Sequence, residues 1–330
     1  MGGTVELSIV TSMYRSAAFL ETFYRQAVEA ATALTERFEI VFVNDGSPDD
    51  SLQRALELTR RDARVRIIDL SRNFGHHKAL MTGLSRAHGE LVFLVDCDLE
   101  EDPSWVTIFF ETLQRTGADV VYGVQRSRKG GVFERVSGYL FFRVVSPVLG
   151  IPMQANVVTA RLMTRRYVQA LVAHRDRELN LSGLWVATGF DQRPVEVSKG
   201  QREGTSYTFR RRVSVLVNAI TSFSNRPLLF VFYIGAAVMA LSSLAALALI
   251  VRAMTHGIGV AGYASLIVSV WFLGGLTIFC VGIVGVYVAK IFIETKDRPY
   301  TVVRAEYGGV GEDDQMDAHV AGSDAAVLRK

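Results

Sequence analysis

The residues best suited to chemistry lie in Val92-Phe93-Leu94-Val95-Asp96-Cys97-Asp98-Leu99-Glu100-Glu101-Asp102-Pro103, where an apolar run ends in a cluster of carboxylates. An apolar run of strand length bounded by polar residues reads as a central parallel strand, and open α/β sheets hold their ligands at the carboxyl ends of such strands. Alternation along an extended chain would put Asp96, Asp98 and Glu100 on one side. Two or three of their oxygens could then converge on a hard divalent cation, Mg²⁺ or Mn²⁺, which in turn would hold a diphosphate. A solvated strand-to-helix turn ahead of Pro103 explains the same acids without any chemistry.

The elements that must position these acids are legible upstream. Leu7-Ser8-Ile9-Val10-Thr11 reads as a first strand, Phe38-Glu39-Ile40-Val41-Phe42-Val43 as a second ending in Asn44-Asp45-Gly46-Ser47, and Val65-Arg66-Ile67-Ile68-Asp69-Leu70 as a third. Helical patterns separate them, which predicts an α/β fold with a wound, mainly parallel sheet and flanking helices. Thr11, Tyr14 and Asp45 fall at the ends of the first two strands, although Asp45 could equally cap the following helix with Ser47 and Asp49. Gly75 permits close backbone approach, with Arg72, Asn73 and Lys78 around it. His76 and His77 are adjacent, so their rings point apart, and they read as loop residues and not as metal ligands. A further strand, Asp119-Val120-Val121-Tyr122-Gly123, precedes Arg126, Arg128, Arg135 and Ser137, cations and a hydroxyl suited to an anionic phosphate.

Four segments taken in order resemble family 2 glycosyltransferases of the GT-A fold. They are Val43-Asn44-Asp45-Gly46-Ser47 with Asp50, Ser71-Arg72-Asn73-Phe74-Gly75-His76-His77-Lys78-Ala79-Leu80, Asp96-Cys97-Asp98-Leu99-Glu100, and Ile293-Glu294-Thr295-Lys296-Asp297-Arg298-Pro299-Tyr300. Within that family the chain is similar to the polyprenyl-phosphate enzymes, such as the bactoprenol glucosyltransferases and dolichyl-phosphate mannose synthase. The resemblance implies inverting, metal-dependent transfer of one sugar from a nucleotide-diphosphate sugar, UDP-glucose or a related UDP-sugar, to polyprenyl (undecaprenyl) phosphate for cell-envelope glycan modification.

It assigns nucleotide-sugar contacts to Thr11, Tyr14, Asp45, Asn73, Gly75, Lys78, Asp96, Arg202, Ser206 and Tyr207, with Asp45 contacting the base. The metal falls to Asp98 and Glu100, and the acceptor phosphate to Arg126, Arg128, Arg135 and Ser137. Asp96, Asp98, Arg126 and Arg128 form the catalytic set. Gly200 to Tyr207 resembles a loop closing over the donor phosphates. The chain departs from the family pattern at Ser12-Met13-Tyr14-Arg15-Ser16, at Glu100, and at Gln154-Ala155-Asn156, where many members carry an acid. A lipid phosphate is already anionic near neutral pH and needs no strong general base. A tetramer is implied by resemblance alone.

Composition sets the remaining expectations. The chain has 330 residues, about half of them apolar. Leu228 to Val251 and Ser265 to Ile283, extending toward Ala289, are uncharged and long enough to cross a bilayer. Basic residues flank the pair, with Arg210, Arg211, Arg212 and Arg226 before it and Lys290, Lys296 and Arg298 after it. By the positive-inside rule both flanks and the N-terminal domain face the cytoplasm, which makes a multi-pass protein of the inner membrane with both termini cytoplasmic.

The expected organisation is therefore a catalytic domain over 1–209 with an interfacial helix at about 132–146, a juxtamembrane amphipathic helix at 210–226, and two transmembrane helices in 227–290, at about 228–251 and 265–289. A C-terminal segment, 291–330, would follow, disordered after Tyr307. Two cysteines, Cys97 and Cys280, make neither a disulfide framework nor a zinc site. A formal charge of +3 gives no case for nucleic acid. A non-catalytic membrane scaffold and a transferase with a different acceptor are the competing readings.

Overall fold

Four apolar runs build the centre of the sheet: Leu7–Met13 (β1), Phe38–Asn44 (β2), Val65–Leu70 (β3) and Leu91–Leu94 (β4), buried almost throughout. Burial on both faces is what strands covered by helices on each side require. The computed structural model describes residues 4–125, 156–174, 176–177, 179–199, 226–256, 262–296 and 298–308. Val120–Gln125 (β5), Val157–Thr164 (β6), Gln192–Val197 (β7) and Val303–Tyr307 (β8) complete one sheet in the order β7-β5-β6-β4-β1-β2-β3-β8.

β1 pairs in parallel with β2 and β4, β2 with β3, and β5 with β7. β6 runs antiparallel between β4 and β5, and β8 antiparallel against β3. The expected wound, mainly parallel sheet is therefore present. The strands β6, β7 and β8 were not among those read from the sequence.

Leu20–Thr32 (α1), Ser51–Arg61 (α2) and Trp105–Thr116 (α4) cover one face. Their apolar stripes, Phe23 with Ala27, Ala55 with Leu58, and Val106 with Phe109 and Leu113, share a core with Leu7, Ile9 and Met13 of β1. The spacing of three or four is the helical period that gathers side chains on one side. His76–Arg86 (α3) covers the opposite face, its Gly83 against Val10 and Val43. Arg165–Val172 (α5) and Leu181–Ala187 (α6) follow β6.

The described residues fall in two units, the sheet with these helices in one and two long apolar helices, Arg226–His256 (α7) and Tyr263–Thr295 (α8), in the other. Within α8, Leu273–Thr295 has a mean hydropathy of 2.3 and, among the described residues, is the one helical stretch long and apolar enough to cross a membrane. Its apolar side chains, Ile278, Phe279 and Val281 among them, are exposed. The segments 132–146 and 210–225, and the tail from 309, lie outside the described residues.

Candidate functional site

The carboxyl ends of β1, β2 and β4 meet at one edge, and the loops that leave them carry the polar residues. β4 stops at Leu94, so the acids that follow form a turn and not an extended strand. The expectation that simple alternation aligns Asp96, Asp98 and Glu100 is corrected accordingly. Leu99, in the middle of the turn, has φ 64°, an uncommon value for a bulky residue. Its side chain packs on the core, while Asp98 and Glu100 remain partly exposed. Asp98 Oδ1 accepts the Glu100 N–H at 3.0 Å. Cys97 is buried and its thiol donates to the Ser12 carbonyl, tying the turn to β1. Burial pushes that thiol up to about 11, so it is a packing group and no nucleophile.

Asp96 sits deepest of the three. Its Oδ1 has no hydrogen-bond partner among the described residues and lies 3.4 Å from His76 Nε2, whose other ring nitrogen meets Ser12 Oγ at 2.9 Å. Burial raises the Asp96 carboxyl above the usual range, with the charges of Asp98 and Glu100 acting in the same direction. His76 and His77 open α3 and are not loop residues, which corrects that expectation. His76 faces the acid and His77 Nδ1 receives the Leu181 N–H at 3.4 Å.

Glu101 is the one wholly buried acid of the run. Its Oε1 accepts the Thr159 N–H at 2.9 Å and lies 3.0 Å from Lys199 Nζ, and its Oε2 accepts the Asp96 N–H at 3.4 Å. Lys199 also reaches Glu100 at 3.8 Å. Burial would depress its ammonium, yet the neighbouring Glu101 carboxylate holds it above its ordinary value. Sequence reasoning singled out neither Glu101 nor Lys199, because Glu101 is one acid among five and its partner comes from beyond β7. Arg161 on β6 is fully buried, stacked on Trp185 and donating to the Thr159 carbonyl, and burial lowers it to about 9.

The donor-side residues divide. Tyr14 is 45% exposed at the end of β1. Thr11 is completely buried among core residues, with its hydroxyl sealed from solvent. Its side chain faces the core because β1 alternates. Asp45 is buried, and its two oxygens accept the N–H groups of Phe74 and Gly75 at 2.7 and 3.0 Å. Its carboxylate therefore latches the loop between β3 and α3. It does not cap α2, whose N-terminus is served by Asp49 through Ser51.

Gly46, at φ 60°, packs its backbone on the same loop so closely that a Cβ would lie 2.5 Å from the Arg72 carbonyl carbon and the Asn73 nitrogen. Gly75, at φ 100°, would carry a Cβ into open space, a conformation that glycine alone adopts cheaply and that leaves the backbone accessible. Asn73 is exposed and Lys78 half-buried beside it. The latched loop and the acidic turn therefore face one edge. Arg126, Arg128, Arg135, Ser137, Arg202, Ser206 and Tyr207 lie outside the described residues.

Among the described residues no three His, Cys, Asp or Glu side chains converge as a ready-made metal cage. The donor set nonetheless suits a hard cation shared with a ligand. Asp98 and Glu100 offer carboxylate oxygens, and Mg²⁺ commonly takes one or two such groups and completes its shell from substrate phosphates and water. Asp96 Oδ1, facing His76 Nε2, is a further carboxylate oxygen at the same turn.

The profile described as Glycosyl transferase family 2 matches residues 8–172. A Mycobacterium tuberculosis protein named among glycosyltransferases is 52% identical over 304 residues, which covers 92% of this chain and 89% of that protein. A Synechocystis protein named as a glycosyltransferase is 33% identical over 308 residues, covering 92% and 96%. The bactoprenol glucosyl transferase of Shigella phage SfV is 31% identical over 307 residues, covering 92% and 99%.

Proposed function

We propose that this chain, which belongs to glycosyl transferase family 2, transfers a single sugar with inversion from a nucleotide-diphosphate sugar, UDP-glucose or a related UDP-sugar, to polyprenyl phosphate. The observation that carries the reading is the acidic turn at the carboxyl end of β4, in a chain similar along nearly its whole length to proteins named bactoprenol glucosyl transferases.

Asp98 and Glu100 would hold Mg²⁺ or Mn²⁺, and when bound the ion supplies positive charge against the departing diphosphate. Tyr14 would stack on the base, and Asn73, the Gly75 backbone and Lys78 would line the nucleotide. Asp45 acts through the loop it latches. Asp96 would orient the sugar, steadied by His76 and Ser12. Arg126, Arg128, Arg135 and Ser137 are assigned to the acceptor phosphate, which attacks as an anion and needs no strong base. Arg202, Ser206 and Tyr207 are assigned to a lid that excludes water.

α7 and α8 would form a two-helix membrane hairpin, and β8 would rejoin the catalytic sheet after it. Connectivity supports a hairpin: the chain leaves the sheet unit before α7 and returns to it as β8, so the number of crossings must be even. The catalytic unit would then sit on the cytoplasmic side of the inner membrane, with both termini. The small-residue positions Gly274, Gly275, Gly282 and Gly285 would permit close helix contact in an oligomer.

The test incubates detergent-purified protein with Mg²⁺ or Mn²⁺, a short polyprenyl phosphate and labelled UDP- and GDP-sugars, and follows label into the organic phase. Transfer from one donor is expected. Label that stays aqueous with every donor would overturn the lipid acceptor.

A further inference from the structure

Lys199 is a charged residue at the acidic turn for which the reaction scheme above has no use. Its ammonium sits 3.0 Å from Glu101 Oε1 and 3.8 Å from Glu100 Oε2, with its side chain only 23% exposed. Glu101 itself is fixed from three directions: by Lys199, by the Thr159 N–H on β6, and by the Asp96 N–H. Lys199 thus joins the segment after β7 to the turn after β4, across two intervening strands of the sheet. Four carboxylates, Asp96, Asp98, Glu100 and Glu101, lie within six residues, and like charges so close repel unless compensated.

We infer that Lys199 is the resident counter-charge of the acidic turn and that it makes uptake of a divalent cation there conditional on the donor's diphosphate. The inference rests on the nucleotide-sugar reading above. With Lys199 in place, Glu100, one of the two carboxylates assigned to the ion, is already partly neutralised, and an incoming dication meets an ammonium. A diphosphate reverses the balance, because it brings negative oxygens that complete the ion's shell and face the same ammonium. Lys199 is accordingly a positioning residue for Glu101 and Glu100, and its charge is the part of it that matters.

The experiment titrates the full-length protein in detergent with Mn²⁺, reading free Mn²⁺ by electron paramagnetic resonance, with and without UDP. In the wild type we expect weak uptake of Mn²⁺ alone and at least a tenfold gain when UDP is present. Lys199→Met should take up Mn²⁺ alone at least tenfold more tightly, and the gain from UDP should shrink. Lys199→Gln, whose amide can still donate to Glu101, should behave like Lys199→Met and keeps the test open should that variant not fold. Lys199→Arg should resemble the wild type.

Two results would overturn the inference: neutral variants that bind Mn²⁺ as the wild type does under both conditions, or a wild type in which UDP brings no gain. Failure of lipid glycosylation, by contrast, would remove the acceptor reading and leave this titration intact, since no turnover is measured.

Discussion

At the residue scale the site depends on carboxylates that hold backbone as much as on those that face a ligand. Asp49 is the plainest case. Burial alone would raise its carboxyl, yet hydrogen bonds from Ser47, Ser51 and the Ala17 N–H hold it down at about 2. A depressed carboxyl stabilises the fold above its unfolded value near 4 and ceases to do so as pH falls through about 2. Asp49→Ala is therefore expected to lose about 1 kcal/mol at pH 7, the usual scale for a lost helix cap. The gap between variant and wild type in urea melts should close between about pH 4 and pH 2.

Asp45 makes a sharper claim on function. Asp45→Ala strips the acceptors from the Phe74 and Gly75 N–H groups, so the amides of that loop should exchange faster with solvent and the donor KM should rise about tenfold. Unchanged exchange at those two amides would show that the latch is dispensable. The types of Asp45, Asp96 and Asp98 marked them from sequence because strand ends are where such residues become available. Their partners were hidden, since Lys199 pairs with Glu101 only after β6 and β7 have been laid beside β4, and no local spacing records that.

At the element scale the strands β1 to β4 were legible as apolar runs, and their ends agree with the structure within a residue or two at most positions. β8 was not, because Val303-Arg304-Ala305-Glu306-Tyr307 is charged enough to pass for a loop and owes its strand form to the open edge of β3. It does more than cover an edge. Ser71, the first residue of the loop that Asp45 latches, donates its N–H to the Val302 carbonyl at 2.9 Å and accepts from Arg304 at 2.6 Å. Thr301 meets Thr82 of α3 at 2.8 Å. The chain that leaves the apolar helices thus steadies the β3–α3 loop from the side opposite Asp45.

Arg304→Ala should lower stability by less than about 1 kcal/mol, because the side chain is more than half exposed. It should still raise the donor KM several-fold with kcat nearly unchanged, and Arg304→Lys should recover part of the loss. A fall in kcat at constant KM would contradict this role.

At the scale of the whole molecule, a catalytic sheet of family 2 is continuous in sequence with two long apolar helices and is rejoined by the strand after them. The apolar runs were visible by length and lack of charge alone, whereas the return of the chain to the sheet required the pairing of β8 with β3. If α7 and α8 cross a bilayer as a hairpin, single cysteines at Thr4 and Tyr307, in a protein lacking Cys97 and Cys280, should both react with a membrane-impermeant maleimide from the cytoplasmic face and from no other. Labelling of both sites from the opposite face alone would contradict this topology.

The central claim is that transfer occurs at the turn after β4. Its most direct test is the rate of sugar transfer to polyprenyl phosphate by Asp98→Asn beside the wild type, with the melting temperature of each recorded. A loss of about 100-fold or more at an unchanged melting temperature is predicted. Wild-type transfer by a folded Asp98→Asn would contradict it.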